Sequence, residues 1–218
     1  MKNRFATVAC GLASLLAAAS TIGRADVIYD NLSRISAGSD GVGPGGLVVG
    51  PLYDSFSTGT GSGFLLTGVQ LLLSNGGGSS GTTSIGIYNN NAGTSPPSPG
   101  SLVATIGTVT GSSLSGTASV WNVSLSSTLS LAASTRYWVG LATSNGASMQ
   151  WWYASTNAGP GVAAEYFSNS TGNFANTAIG PYQMKVTVTA VPEPAACGMA
   201  LAGLACGGYS MFRRRRTR

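Results

Sequence analysis

The sequence predicts an all-β fold, an antiparallel and jelly-roll-like β-sandwich, over residues 26–190. Short apolar stretches alternate there with polar residues, and Gly, Asn and Pro turns separate them. Helix signals are almost missing from the same region. The main alternative is a β-solenoid, and the lack of an internal repeat of constant period argues against it. We therefore expect one domain made of two packed antiparallel sheets.

Strand candidates follow one another at short intervals along this body. They cover residues 64–74, 82–88, 102–110, 119–125, 136–143, 149–153, 163–167 and 183–190. Residues 74–81, rich in Gly and Ser, and residues 89–100, which contain three prolines, are expected to be loops.

Alternation along a strand places every second side chain on one face. The core-facing residues it predicts are Leu65, Val69, Leu71 and Leu73 in the first candidate and Met184, Val186 and Val188 in the last. The last candidate would turn Gln183, Lys185, Thr187 and Thr189 to solvent.

Residues 1–25 are typical of a signal peptide. Lys2 and Arg4 precede an apolar run, and Gly23 and Ala25 are the small residues at the third and first positions before the predicted cut. Cleavage by a signal peptidase would leave Asp26 as the first residue.

The C-terminal segment, residues 191–218, combines three features in a fixed order. Val191, Pro192, Glu193 and Pro194 come first, and the eighteen residues 195–212 carry no charge. As a single transmembrane helix, residues 195–212 would span about 27 Å, near the thickness of a bilayer's hydrocarbon core. The arginine cluster of residues 213–218 comprises Arg213, Arg214, Arg215, Arg216 and Arg218. These arginines would stay on the cytoplasmic side and hold the body outside.

This tail resembles the PEP-CTERM sorting signal of Gram-negative bacteria that make exopolysaccharide. The resemblance implies that an exosortase, a membrane-embedded cysteine transpeptidase-like enzyme, recognises residues 192–194 and cuts the chain nearby. It also implies a precursor anchored in the inner membrane and a final place at the cell surface or in the extracellular matrix. The apolar span departs from the usual Leu-rich composition because it is rich in Ala and Gly.

The body resembles, more broadly, the choice-of-anchor R type of domain that precedes such tails. The matching segments are residues 29–31, 85–88, 99–102 and 136–141. This resemblance implies a surface location and no particular reaction.

The charges of the chain lie mainly at its ends. The formal net charge is +5, but residues 26–190 hold three basic and five acidic side chains, which gives −2. The Lys/Arg surface that nucleic-acid binding requires is absent from the body, so no nucleic-acid partner is expected.

The residue types also restrict catalysis. The chain has no histidine, and Cys10, Cys197 and Cys206 all lie in the terminal segments. Ser-His-Asp and Cys-His catalysis and most transition-metal sites are thereby excluded, and we expect no enzymatic activity, cofactor or metal. A carboxylate-dependent glycoside hydrolase, with Glu165 paired with Asp54, is an alternative. The simpler interpretation of Glu165 is an outward-facing strand residue.

Two binding hypotheses remain. Asp30, Asp40 and Asp54 are candidate oxygen ligands for calcium, although aspartate is also common in turns. Trp138 and Trp152 are candidate glycan-stacking residues, since each alternates with an aromatic neighbour that faces the other way. Burial in the core is the competing interpretation of both indoles.

The expected function is that of an exported, structural or adhesive surface protein, sorted by its tail and retained in the envelope or the exopolysaccharide matrix. A carbohydrate-binding module is the first alternative, and the hydrolase is the second.

Overall fold

The computed structural model describes residues 24–42, 50–77, 81–144, 148–177 and 180–191. Within these ranges the chain is all-β, with two antiparallel sheets and one short 3-10 turn at Gly111–Ser113. None of the described residues form a helix able to cross a membrane. The strands belong to one compact unit, Ala25–Ala190. They are β1 (Ala25–Asp30), β2 (Ser36–Val42), β3 (Leu52–Ser57), β4 (Phe64–Asn75), β5 (Thr82–Asn91), β6 (Ser98–Thr110), β7 (Ser119–Asn122), β8 (Leu129–Leu131), β9 (Arg136–Ser144), β10 (Met149–Ala154), β11 (Tyr166–Asn169), β12 (Gly172–Ala175) and β13 (Met184–Ala190).

The first sheet, called sheet A, is built around the long strand β4. β13 runs along one edge of β4, and β10 continues along the same edge where β13 has ended. β8 and β7 occupy the opposite edge one after the other. β1 pairs with the outer side of β13 and β2 with that of β10, so the sheet extends from β1 to β2.

The second sheet, called sheet B, has the order β12-β11-β3-β9-β5-β6. β9 lies between β3 and β5, with Val139 opposite Asp54 on one side and Ile87 on the other. The hydrophobic core joins the inner faces of both sheets. Val139 and Ile87 from sheet B and Val186 from sheet A are completely buried. Each such side chain contributes about 1.5–3 kcal/mol of burial free energy.

The predicted face of β4 is correct in its second half and shifted in its first. Val69, Leu71 and Leu73 are buried as expected, but Leu66 occupies the core position and Leu65 is only half-buried. A β-bulge explains the shift. Opposite Thr187 and Val188 the pairing passes from Gly68 to Leu66, and the extra residue inverts the alternation of the preceding side chains.

Three further expectations about the strands are corrected. Gln183 is fully buried rather than solvent-facing, because it lies before β13 and turns into the protein. The candidate at 163–167 begins later, as β11 (Tyr166–Asn169). The proline-containing loop is shorter than expected, since β5 continues to Asn91 and β6 starts at Ser98.

Candidate functional site

The structure places the two predicted glycan-stacking tryptophans in different sheets. Trp138 belongs to β9 of sheet B and is 0% exposed, and its indole N–H donates to Asn90 Oδ1 over 3.1 Å. Trp152 belongs to β10 of sheet A, is half-buried, and donates to Ser74 Oγ over 2.9 Å. The two indoles therefore do not form a common platform.

Glu165 is an internal ion-pair partner rather than an outward-facing strand residue. It lies just before β11 and is 2% exposed. Its Oε2 accepts hydrogen bonds from Arg136 Nε over 2.7 Å and from Ser55 Oγ over 2.5 Å. The Arg136 guanidinium also lies 4.9 Å from the centre of the Tyr166 ring. All these contacts tie the start of β11 to β3 and β9, so Glu165 has a clear structural role.

Asp54 is buried completely on the core side of β3. Its Oδ1 accepts from the Tyr29 hydroxyl over 3.2 Å and from Asn176 Nδ2 over 3.4 Å. Burial raises the pKa of Asp54 well above its usual range, and the nearby Glu165 carboxylate raises it further, against the lowering effect of the hydrogen bonds. Asp54 Oδ2 and Asn176 Oδ1 have no hydrogen-bond partner among the described residues.

The three candidate calcium ligands lie in separate environments. Asp30 pairs with Lys185 over 3.3 Å, Asp40 accepts from the Tyr182 hydroxyl, and Asp54 contacts Tyr29. Among the described residues no three acidic or other metal-ligating side chains come together. The carboxylates proposed for the hydrolase, Glu165 and Asp54, are likewise both interior.

A small aromatic cleft opens between the edges of the two sheets. It has a volume of about 180 Å³, and Asp40 of β2 and Tyr153 of β10 line it from sheet A. The remaining lining residues are Phe167, Asn169, Thr171, Phe174, Gly180 and Tyr182.

Aromatic packing fixes the base of this cleft. Tyr182 stacks on Trp151 at 4.7 Å between ring centres, and Phe167 meets Tyr182 edge-on at 5.7 Å. Phe174 in turn stacks on Phe167 at 5.2 Å. Burial raises the pKa of Tyr182, and the Asp40 carboxylate that accepts a hydrogen bond from its hydroxyl raises it further. Tyr182 therefore stays a neutral donor and holds Asp40 in place.

A second, wider depression of about 670 Å³ lies beside the β5–β6 hairpin. Its lining is polar and includes Asn89, Asn90, Ser101 and Arg136. Most of these groups are engaged with each other or with the protein, since Asn89 Nδ2 donates to Ser101 Oγ and Asn90 Oδ1 accepts from Trp138. No aromatic side chain among the described residues lines this depression, which distinguishes it from the aromatic cleft.

Sequence reasoning did not single out Tyr153, Phe174 or Tyr182 as site residues. A usable signal exists for Phe174. Residues 166–175 form a hairpin in which Asn169 and Gly172 flank a two-residue turn, and aromatic residues stand on both strands. The pairing of Tyr182 with Asp40, 142 residues apart, has no local signal.

The predicted processing residues lie mostly beyond the described part of the chain. Gly23, the motif Pro192–Glu193–Pro194, the predicted span 195–212 and the arginines Arg213, Arg214, Arg215 and Arg216 are outside the described residues. Ala25 is the first residue of β1, and Val191 follows β13 with 38% of its surface exposed.

Comparison with known proteins finds no matching family model, no similar curated protein and no similar solved structure.

Proposed function

We propose that the chain is an exported, non-catalytic surface protein of a Gram-negative bacterium, with a structural or adhesive role in the cell envelope or exopolysaccharide matrix. The proposal retains the signal peptide over residues 1–25 and the PEP-CTERM tail over residues 191–218, which an exosortase would process. It also retains the prediction that the body is a jelly-roll-like β-sandwich.

The position of the two ends of the β unit supports processing at both. β1 and β13 are antiparallel neighbours, with Ala25 opposite Thr189. The unit Ala25–Ala190 contains all the strands of the described residues. Removal of residues before Asp26 and after Pro194 therefore leaves these strand pairings intact except for the end position of Ala25 with Thr189.

The composition of the unit Ala25–Ala190 is compatible with a location outside the cytoplasm. It contains no cysteine, so its stability depends on neither a disulfide nor a reduced thiol. Its interior ion pair and buried polar contacts join distant parts of the chain, which favours a scaffold held in one conformation.

Mass spectrometry of the protein from its producing cells tests the proposal directly. We expect a mature start at Asp26 and a C-terminus near Pro194. Deletion of residues 192–218 should move the protein from the cell envelope to the medium, while Thr217→Ala, a neutral change in the same tail, should leave it with the cells. Recovery of the intact 218-residue chain from the cytoplasm would refute the proposal.

A further inference from the structure

The aromatic cleft between the sheets has the features of a ligand site that the proposed surface function does not require. We propose that it binds a single sugar ring of a neutral polysaccharide. Three properties carry the inference: aromatic walls on both sides, one oriented carboxylate, and a lining in which none of the described residues is a cation.

The walls come from different sheets. Tyr153 stands on β10 and Phe174 on β12, and both are half-buried, whereas Phe167 and Tyr182 between them are 5% and 1% exposed. The hydroxyl end of Tyr153 lies over Gly38, where a Cβ would collide with it. Partly exposed rings above a packed aromatic base suit the apolar C–H faces of a sugar.

The carboxylate provides the polar contact. Asp40 Oδ2 accepts a hydrogen bond from the Tyr182 hydroxyl, while Asp40 Oδ1 receives none from the described residues. The Asp40 side chain is half-buried. A fixed acceptor beside aromatic walls matches a sugar hydroxyl, which is a donor. Charge-assisted hydrogen bonds of this kind are stronger than neutral ones.

Charge and size limit the ligand. Among the described residues, Asp40 is the only charged one that lines the cleft, so a uronate or sulfated sugar would meet repulsion without a compensating cation there. The volume of about 180 Å³ lies below the roughly 300–1,000 Å³ of sites for drug-sized ligands. One ring fits this space, with the rest of the polymer outside.

Co-sedimentation tests the site. The full 218-residue chain, kept in a detergent without a sugar headgroup, is mixed with cellulose, chitin or cross-linked dextran, and with alginate beads as the anionic polymer. We expect binding to at least one neutral polymer and none to alginate. Thr171→Arg, which fills the exposed rim without removing core packing, and Tyr153→Ala should each weaken binding at least tenfold.

Val120→Ala is the matched control, because it also shortens a partly exposed side chain of sheet A to alanine, but on β7, which does not line the cleft. Its binding should stay within twofold of wild type, and circular dichroism should show all variants folded. Absence of binding to every neutral polymer, equal binding by Thr171→Arg and wild type, or preference for alginate would each overturn the proposal. None of these results depends on where the cell places the protein, so the surface function is tested separately.

Discussion

The Tyr29 hydroxyl donates a hydrogen bond to Asp54 Oδ1 over 3.2 Å and thereby links β1 of sheet A to β3 of sheet B through the interior. Both side chains are fully buried. Burial raises the pKa of Tyr29 well above its ordinary value of 10.0, and the Asp54 carboxyl raises it further. The link is therefore a neutral donor meeting a carboxyl that itself resists ionisation.

Asp54 should make stability depend on pH in an unusual direction. Its folded pKa lies above the ordinary value of 3.8, so the folded state holds a proton that the unfolded state has lost. The stabilising contribution is complete below the ordinary pKa and is lost as pH rises towards the folded pKa, at up to about 1.4 kcal/mol per pH unit. Asp54→Asn should remove this fall, and urea unfolding across pH 4–9 measures it.

The quantity to compare is the difference in the free energy of unfolding between wild type and Asp54→Asn at each pH, because the other acidic groups are present in both chains. Asp26→Asn, which removes an exposed carboxylate from β1, should run parallel to wild type. At alkaline pH Asp54→Asn should be the more stable protein, since a neutral amide avoids the cost of ionising a fully buried carboxyl. Parallel curves for wild type and Asp54→Asn would contradict the assignment.

The two ion pairs of the described residues should differ sharply in value. Arg136→Met leaves Glu165, which is 2% exposed, as a buried charge without its cation, and we expect a loss of about 3 kcal/mol. Lys185→Met breaks the pair with Asp30, in which both side chains are about a third exposed, and should cost less than about 1 kcal/mol. Denaturant unfolding of both variants checks the contrast, and equal losses would show that burial of Glu165 is unimportant.

Sequence patterns predicted those strands whose own apolar side chains are buried in the core. β4, β10 and β13 have alternating apolar side chains, β9 has a continuous apolar run that is buried on both faces, and all four were located closely. β2 was missed because only Val42 at its end is buried, and its pairing with β10 decides its conformation. β1, β3, β8 and β12 were missed as well, and β8 and β12 have only three and four residues.

The site residues depend more on tertiary structure. Alternation correctly separated Trp138 from Tyr137, yet Trp138 is fully buried on β9 between β3 and β5, where Asn90 accepts a hydrogen bond from its indole. The sequence indicated Asp40 as a candidate oxygen ligand for calcium, but its hydrogen-bond partner Tyr182 comes from the far end of the body. A contact between residues so far apart in sequence forms when the sheets assemble, and the spacing of residues along the chain does not predict it.

Glycine is required where two tyrosines cross β9. Tyr53 and Tyr88 meet edge-on at 5.1 Å, and a Cβ at Gly140 would lie 2.5 Å from the first ring and 2.6 Å from the second. Gly140→Ala should therefore cost about 1–3 kcal/mol. That loss corresponds to at least about 2 °C in melting temperature.

Gly68→Ala provides the control for this crowding. Gly68 is also a strand glycine, but a Cβ there would meet its nearest atom, in Thr187, at an ordinary 3.7 Å. Alanine should be neutral or slightly stabilising at this position, because glycine loses more conformational entropy on folding. If thermal denaturation gave similar losses for both alanine variants, the crowding by Tyr53 and Tyr88 would not be the cause.

The chain from Asp26 to Val191 should fold without its terminal segments. It retains every described strand pairing except the end position Ala25 with Thr189, and the core residues Val186 and Val188 stay in place on β13. A chain that stops at Tyr182 lacks β13, exposes the edge of β4 and loses four fully buried side chains, so it should not unfold cooperatively. Circular dichroism during heating distinguishes the two. Loss of cooperative unfolding in the 26–191 chain would mean that the terminal segments are part of the fold, and processing at both ends would then be incompatible with a stable mature protein.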